Sequence, residues 1–145
     1  MFKHILIPTD GSPLSERAAL GAVHLAKSLS ARVTAIYASV PFHVFAVDPV
    51  MVSDTEDTYQ RTCEKRAAAY LEWVRVAAKT SNVPFDALHV FAESPYTAII
   101  DAAKEKGCDA ICMASHGRKG VAALVLGSET AKVLTHSTIP VVVWR

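Results

Sequence analysis

The chain has 145 residues, of which 51% are hydrophobic and 20% charged, a size and composition typical of one globular domain spanning residues 1–145. Fifteen Lys and Arg against 14 Asp and Glu give a net charge of +1, so electrostatics give no reason to expect nucleic acid or an anionic membrane as a partner. No stretch approaches the roughly 18 apolar residues that a membrane helix needs. The first residues also lack the apolar region of a signal peptide, so we expect a cytoplasmic protein.

Short apolar runs and helical patterns alternate along the whole chain. KHILI, residues 3–7, predicts a first strand that ends at Pro8, and the helix that follows at 12–30 has Ser12 at its cap position and Pro13 in its first turn. The remaining predicted elements, in chain order, are strand 31–40, helix 53–80, strand 84–93, helix 94–107, strand 109–115, helix 128–136 and strand 139–145.

This alternation is typical of an α/β fold with a parallel sheet, right-handed crossovers and helices on both faces. Strands such as ILI, AICM and PVVVW are almost continuously apolar, as expected where both faces of a sheet are covered. We therefore predict a doubly wound, Rossmann-like sheet of five strands in the order 3-2-1-4-5, in which strands one and four flank the point where the order reverses.

One segment departs from the alternation. PFHVFAVDPVMVSD, residues 41–54, is apolar, contains two prolines and is long for a connection in a compact domain. It is expected to be a functional flap, a loop that contacts a partner, a mobile segment or an ordinary packed loop.

The three cysteines and the scattered histidines carry no pattern of a metal or redox site. Cys63, Cys108 and Cys112 are an odd number without CxxC spacing, so we predict buried or half-buried free thiols, with a zinc or redox site as the alternative. No pair of histidines has the spacing of zinc ligands.

The loops that follow strands one and four, PTDGS and ASHGRKG, are expected to meet where ligands collect in such sheets. Gly117 and Gly120 permit positive backbone angles and let amides approach an anion. Gly127 and Ser128 then open a helix whose first amides carry the positive end of the helix dipole. Together these features predict a phosphate cradle.

Side chains in the same two loops have alternative interpretations. Asp10 could accept a ribose hydroxyl or help to hold a metal bound to phosphates, or it could simply form a turn before Gly11. His116 could bind a phosphate or brace the loop. Arg118 and Lys119 could add charge to a phosphate site or remain solvated.

Several catalytic patterns are missing from the sequence. GxxxxGK[ST] does not occur, no GxGxxG follows the first strand, and no GxSxG elbow is found. We therefore name no catalytic residue, and the residues themselves predict an anion-binding crevice for a nucleotide without indicating a reaction.

Three segments closely resemble the universal stress protein family. They are KHILIPTDGSPLSERAAL, ASHGRKGVAALVLGS and GSETAKVLTHSTIPVVVWR, and the resemblance extends over the whole chain. It implies a five-stranded doubly wound domain that dimerises through its last strand, here residues 139–144.

The resemblance also implies where a nucleotide binds. Family members that bind ATP carry Gly-x2-Gly-x9-Gly-[Ser/Thr], and this chain supplies Gly117, a nine-residue spacer and then Gly127-Ser128, but has Ala114 at the first glycine. That alanine obstructs the site only if its position requires a glycine conformation.

By the same resemblance, Asp10 faces the ribose or phosphates and any Mg2+ that they carry. Pro8 and Thr9 flank the base, and the backbone of Ala38 and Met113 borders the adenine. The complete candidate site comprises Pro8, Thr9, Asp10, Ala38, Met113, Ala114, His116, Gly117, Gly127, Ser128 and Glu129.

The function that this resemblance implies is an ATP-binding, homodimeric universal stress protein acting in stress response or signalling, with at most weak ATP hydrolysis. AMP or ADP could replace ATP as the ligand. The alternatives are a nucleotide-free dimeric interaction module, acting through the loop 41–54 and the strand 139–144, or a weakly active nucleotide hydrolase.

Overall fold

The computed structural model describes residues 1–45, 55–118 and 126–145. These ranges contain five strands: β1 (His4–Pro8), β2 (Arg32–Ser39), β3 (Phe85–Phe91), β4 (Ala110–Ala114) and β5 (Val141–Trp144). The same described residues form five helices: α1 (Pro13–Leu29), α2 (Phe42–Phe45), α3 (Glu56–Thr80), α4 (Pro95–Glu105) and α5 (Ser128–His136).

The strands form one parallel sheet in the order β3-β2-β1-β4-β5. The predicted fold class and strand order are therefore confirmed. In this order β1 and β4 are neighbours although β2 and β3 come between them in the chain, so the direction of winding reverses between them.

Two apolar layers enclose the sheet, one on each face. Alternate strand residues such as Ile5, Val33 and Cys112 point to the side covered by α1 and α3. Their neighbours Leu6 and Ile111 point to the side covered by α4 and α5. Because each central strand is buried on both faces, its sequence is apolar at consecutive positions.

Helix α1 begins where the sequence predicts. The Ser12 side chain accepts a hydrogen bond from the Ser15 amide at 3.2 Å, and Pro13 occupies the first turn. Helix α3 starts at Glu56 with Thr55 as its extended cap residue, so the prediction that the helix already includes residue 55 is wrong. Residues 53 and 54 lie outside the described residues.

The prediction of an irregular segment over 41–54 is wrong at its beginning, because residues 42–45 form the short helix α2. Tyr59 of α3 donates a hydrogen bond at 2.6 Å to the carbonyl of Val40, just before this helix. The remainder of the predicted segment, 46–54, lies outside the described residues.

The three cysteines are buried free thiols, as predicted. Burial raises the pKa of the Cys108 and Cys112 thiols to about 11, so both remain protonated at neutral pH. Among residues 1–45, 55–118 and 126–145, no helix combines the length and apolarity required to cross a membrane.

The indole ring of Trp144 joins the edge strand β5 to α1. It packs against a small cluster formed by Leu14, Ala18 and Ala114. It also lies directly over Gly21, in the middle of α1, where a Cβ atom would overlap the ring. The helix can therefore approach β5 closely only because residue 21 has no side chain.

We predict that Gly21→Ala lowers the free energy of unfolding by about 1–2 kcal/mol, because the new methyl group must displace the indole. Helix propensity alone predicts the opposite sign, since Ala is favoured over Gly by about 1 kcal/mol in a helix interior. Urea unfolding of the wild type, of Gly21→Ala and of His24→Ala, an exposed change in the same helix, measures the effect. A Gly21→Ala protein more stable than the wild type would contradict the packing argument.

Candidate functional site

The loops after β1 and β4 lie side by side at the carboxyl edge of the sheet. The chain leaves β1 toward α1 on one face, and beyond the loop after β4 it enters α5 on the other face. A direct hydrogen bond joins the two loops, in which the Arg118 amide donates to Asp10 Oδ2 at 2.8 Å. The predicted meeting of these loops at the point of strand reversal is therefore confirmed.

Short-range hydrogen bonds fix the turn between β1 and α1. The Gly11 amide donates to Thr9 Oγ1 at 3.2 Å, and the Ser12 amide donates to Asp10 Oδ1 at 3.0 Å. The Thr9 hydroxyl also lies 3.2 Å from that of Ser15. The Thr9 side chain is thus occupied in holding the start of α1, on the α1 face of the sheet.

Gly11 occupies a position that only glycine fits easily. Its φ of 70° lies in the left-handed region. A Cβ atom there would also collide with the Tyr70 ring of α3. The turn is therefore shaped both by its own backbone and by a helix far away in the sequence.

The Asp10 carboxylate is held in its ionised form. Its partial burial would raise its pKa, but hydrogen bonds from Ser12 and from the Arg118 amide outweigh burial, and the pKa lies below its ordinary value. The turn-forming interpretation of Asp10 is confirmed by its bond to Ser12. Its second oxygen meanwhile faces the loop after β4, so the same side chain connects both loops.

The Arg118 side chain braces the crevice, a role that the sequence did not indicate. Its Nε donates to the Asp10 carbonyl at 2.9 Å and an Nη donates to the Gly11 carbonyl at 3.2 Å. Its guanidinium carbon lies 5.1 Å from the centroid of the Tyr70 ring, within range of a cation–π interaction. Arg118 and Tyr70 are far apart in the sequence, so no local sequence pattern predicts their contact.

Gly117 is required for space and not for a positive backbone angle. The described glycines with positive φ are Gly11 and Gly107, so the predicted conformational role of Gly117 is wrong. A Cβ atom at residue 117 would instead strike Asp10 Oδ2. Gly120 and Lys119, also singled out in the sequence, lie outside the described residues.

Helix α5 begins against the loop after β4. The Gly127 amide donates to the Ser115 carbonyl at 2.7 Å. A Cβ atom at residue 127 would lie 2.9 Å from the His116 Cα. Gly127 therefore allows the start of α5 to lie directly on the backbone of this loop.

No side chain among the described residues caps α5. Helices α1 and α3, by contrast, are capped by Ser12 and Thr55. Helix α4 also has no side-chain cap at Ser94, but the Tyr96 amide in its first turn donates to Glu129. Ser128 is the exposed first residue of α5. The positive end of this helix therefore lies at the strand reversal without a side-chain acceptor in the described part of the chain.

The residues predicted to border a base share one face of the sheet. Met113 belongs to the layer beneath α4 and α5. Pro8 follows Leu6 by two positions and Ala38 follows Ile36 by two, so alternation directs both side chains to that same face. These residues and the start of α5 consequently lie on one side of the crevice.

Ala114 points the other way. Its methyl group is buried among Leu14 and Ala18 on the α1 face, and its carbonyl accepts a hydrogen bond from Thr130 Oγ1 at 2.9 Å. It is an ordinary strand residue paired with Trp144. The position therefore does not demand the conformation of a glycine.

Two further predicted residues make contacts within the protein. His116 Nδ1 lies 3.1 Å from Ser115 Oγ, so this ring is partly engaged in bracing the loop. Glu129 Oε2 accepts a hydrogen bond at 2.8 Å from the Tyr96 amide in the first turn of α4, and Glu129 Oε1 lies 3.3 Å from Lys132 Nζ. Glu129 thus connects α4 to α5.

An open cleft of about 550 Å3 lies on the α1 side of the loop after β4. The described residues that line it are Ser12, Pro13, Leu14, Arg17, His116, Gly117 and Arg118. Of the predicted site residues, it includes His116 and Gly117 but neither the base-bordering group nor the start of α5. The cleft therefore adjoins the predicted site without coinciding with it.

A doubly wound sheet with an open helix terminus at its strand reversal defines an α/β domain of the kind that holds anionic ligands. The model of the universal stress protein family matches residues 1–145. The chain belongs to this family, and the resemblance seen in the sequence is confirmed.

Individual relatives agree with this assignment. Universal stress protein YxiE of Bacillus subtilis is 30% identical over 149 residues, covering 100% of both chains. Among solved structures, that of hypothetical protein MJ0577 has a TM-score of 0.80 at 24% identity and covers 99% of this chain and 96% of its own. At these identities the structural likeness establishes the fold.

Two other solved structures are nucleotide complexes. A universal stress protein in complex with cAMP has a TM-score of 0.69 at 22% identity, with 98% of this chain and 95% of that one covered. The universal stress protein from Archaeoglobus fulgidus in complex with dAMP has a TM-score of 0.68 at 16% identity, with 100% and 98% covered.

We predict that Asp10→Asn lowers the free energy of unfolding at pH 7 by about 1–2 kcal/mol, because an amide cannot accept from both backbone donors. The folded-state pKa of Asp10 is lowered, so its stabilisation is present above the unfolded-state pKa near 3.8 and is lost as the pH falls through the folded-state value. The difference between variant and wild type should therefore be constant from pH 7 to 5 and shrink below about pH 4.

Urea unfolding at pH 7, 5 and 3 measures this difference. Asp101→Asn, which changes an exposed carboxylate on α4, is the matched control. A difference for Asp10→Asn that stays unchanged down to pH 3 would contradict the electrostatic role.

Proposed function

We propose that the protein binds an adenine nucleotide in the crevice between β1 and β4 and acts through that bound state in stress response or signalling. The phosphates would lie at the start of α5 and the adenine beside Pro8, Ala38 and Met113. ATP is the proposed ligand, with ADP and AMP as shorter alternatives at the same site.

The start of α5, which no side chain of the described residues caps, is the observation that carries this proposal. Its first amides need acceptors, and a phosphate supplies them together with negative charge at the positive end of the dipole. Gly127 holds this terminus against the loop after β4 through its 2.7 Å bond to Ser115. The Gly127-Ser128 pair expected from the family motif thus has a physical reason to be there.

The position of the other motif residues supports the same ligand. The methyl group of Ala114 packs against Leu14 and Ala18, on the face opposite to Pro8 and Met113. Alanine in place of the first motif glycine therefore leaves the base side of the crevice unobstructed. Relatives solved in complex with cAMP and dAMP are consistent with adenine as the base.

A magnesium ion fits this site only as part of the nucleotide. No group of three His, Cys, Asp or Glu side chains within the described ranges could hold a metal ion. Asp10 uses one oxygen for each of two amide donors, which leaves lone pairs on its carboxylate for an ion already bound to phosphates. Asp10 would then add charge and orientation to an ion that the phosphates carry.

We also propose that two copies associate through residues 139–144. β5 is the outer strand of the sheet, and each of its residues is only half-buried. An outer strand offers unpaired backbone groups on one side, which a second copy of the same strand can satisfy. The half-exposed valines of β5 would then be covered in the dimer.

We predict that ATP at about 100 times its dissociation constant stabilises the wild type by roughly 2.7 kcal/mol, which raises the melting temperature by about 5–10 °C. Ser128→Asp should abolish this shift, because its carboxylate occupies the phosphate position and repels the ligand. The same substitution should leave the unliganded protein as stable as the wild type or slightly more so, since an acidic residue is favourable at a helix N-terminus.

Thermal melts with ATP and magnesium, with AMP and without nucleotide measure these effects. Ser128→Ala, which removes the hydroxyl but keeps the backbone amides, should retain most of the shift. A wild-type protein whose melting temperature does not respond to any adenine nucleotide would overturn the proposed function.

We further predict that native mass spectrometry of the intact protein finds two subunits and one nucleotide for each. Val143→Lys places a charge on the outer strand and should shift the distribution toward single subunits, because a buried lysine at the interface is costly. A wild type that remains a single subunit at micromolar concentration would contradict the dimer.

A further inference from the structure

The cleft beside α1 is lined by two arginines, one from α1 and one from the loop after β4. Arg17 of α1 is exposed and forms no ion pair with a carboxylate among the described residues. Arg118 lines the cleft from the opposite loop, and His116 lies next to it. No acidic side chain within the described ranges contributes to the lining.

Backbone carbonyls orient the Arg118 guanidinium group, which forms no ion pair with a carboxylate among the described residues. Its side chain donates to the carbonyls of Asp10 and Gly11, while the nearby Asp10 carboxylate accepts from the backbone amide of residue 118 instead. A guanidinium group has five N–H donors, and two of its nitrogens account for these contacts. Among residues 1–45, 55–118 and 126–145, no acceptor engages the remaining donors, so they are available to bind an anion in a fixed direction.

The cleft is also large enough for more than a single ion. Its volume of about 550 Å3 is within the usual range for small-molecule sites. Pro13 and Leu14 add apolar surface to the cationic lining. The planar guanidinium group of arginine can donate two parallel hydrogen bonds to two oxygens of the same phosphate group.

We propose that this cleft is a second anion site, in which Arg17 and Arg118 bind the phosphate groups of a ligand. Two sources of phosphate fit the geometry. The distal phosphates of the proposed nucleotide could enter from the α5 side, since Gly117 lines the cleft and the Gly127 amide is bonded to Ser115 in the same loop. A separate phosphorylated small molecule could instead occupy it alone.

The first source rests on the proposed function, whereas the second does not. Calorimetric titration at low salt with AMP, ATP and inorganic pyrophosphate separates them. The variants are Arg17→Gln and, as the matched control, Arg61→Gln, which changes an exposed arginine on α3. Arg17 is exposed, so its substitution should not disturb folding.

If the distal phosphates of a nucleotide occupy the cleft, Arg17→Gln weakens ATP binding about tenfold and leaves AMP binding unchanged. If a separate ligand occupies it, Arg17→Gln weakens pyrophosphate binding about tenfold while Ser128→Asp does not. In either case Arg17→Lys should lose less affinity than Arg17→Gln, because lysine keeps the positive charge although it lacks the paired N–H donors of the guanidinium group.

Nuclear magnetic resonance gives a readout of position. Pyrophosphate or ATP, whichever binds through Arg17, should shift the amide signals of Gly117 and Arg118 in the wild type and not in Arg17→Gln. The proposal is overturned if Arg17→Gln and Arg61→Gln bind all three ligands alike. A different result would overturn the proposed function alone. In that case the wild type binds neither AMP nor ATP but binds pyrophosphate, and Arg17→Gln weakens the pyrophosphate binding.

Discussion

The bond between the Asp10 carboxylate and the amide of Arg118 fixes the geometry on which the candidate site depends. It joins residues 108 positions apart, at the point where the winding of the sheet reverses. The same carboxylate also holds the amide of Ser12, the residue that caps α1. One acidic side chain therefore sets the separation of two loops and the start of a helix, before any ligand is considered.

Lack of space for a side chain near this bond, and not a positive φ, explains why residues 117 and 127 are glycines. Gly117 has no room for a side chain because Asp10 lies against it, and Gly127 has none because the His116 backbone does. Both residues keep the loop after β4 close to its neighbours. Gly11, in contrast, combines a positive φ with the contact of the Tyr70 ring. Three glycines near one crevice thus meet different physical requirements.

Local patterns were sufficient to predict much of this architecture. The alternation of apolar runs with helical spacing predicted the parallel sheet, and Ser12 with Pro13 predicted the start of α1. Such patterns extend over a few residues, so they predict an element correctly where the contacts that determine it are also local. Local patterns do not predict the strand order. That prediction also used the right-handedness of crossovers and the usual strand order of doubly wound sheets.

Contacts between distant segments could not be predicted in the same way. Nothing near Arg118 in the sequence indicates that its side chain will lie over Tyr70, and nothing near Glu129 indicates that it will accept from the Tyr96 amide. The helical turn at residues 42–45 was also missed, because a short apolar segment with prolines carries no clear period. These features arise only after the sheet has brought its edges together.

The position of Trp144 links the interior of the sheet to its outer edge. Its backbone pairs with Ala114, the residue from which the loop of the crevice departs, and its ring rests on Gly21 in α1. Because the indole contacts α1 and the backbone of the same residue pairs with β4, a change at residue 144 would disturb the outer strand, the end of β4 and the middle of α1 together.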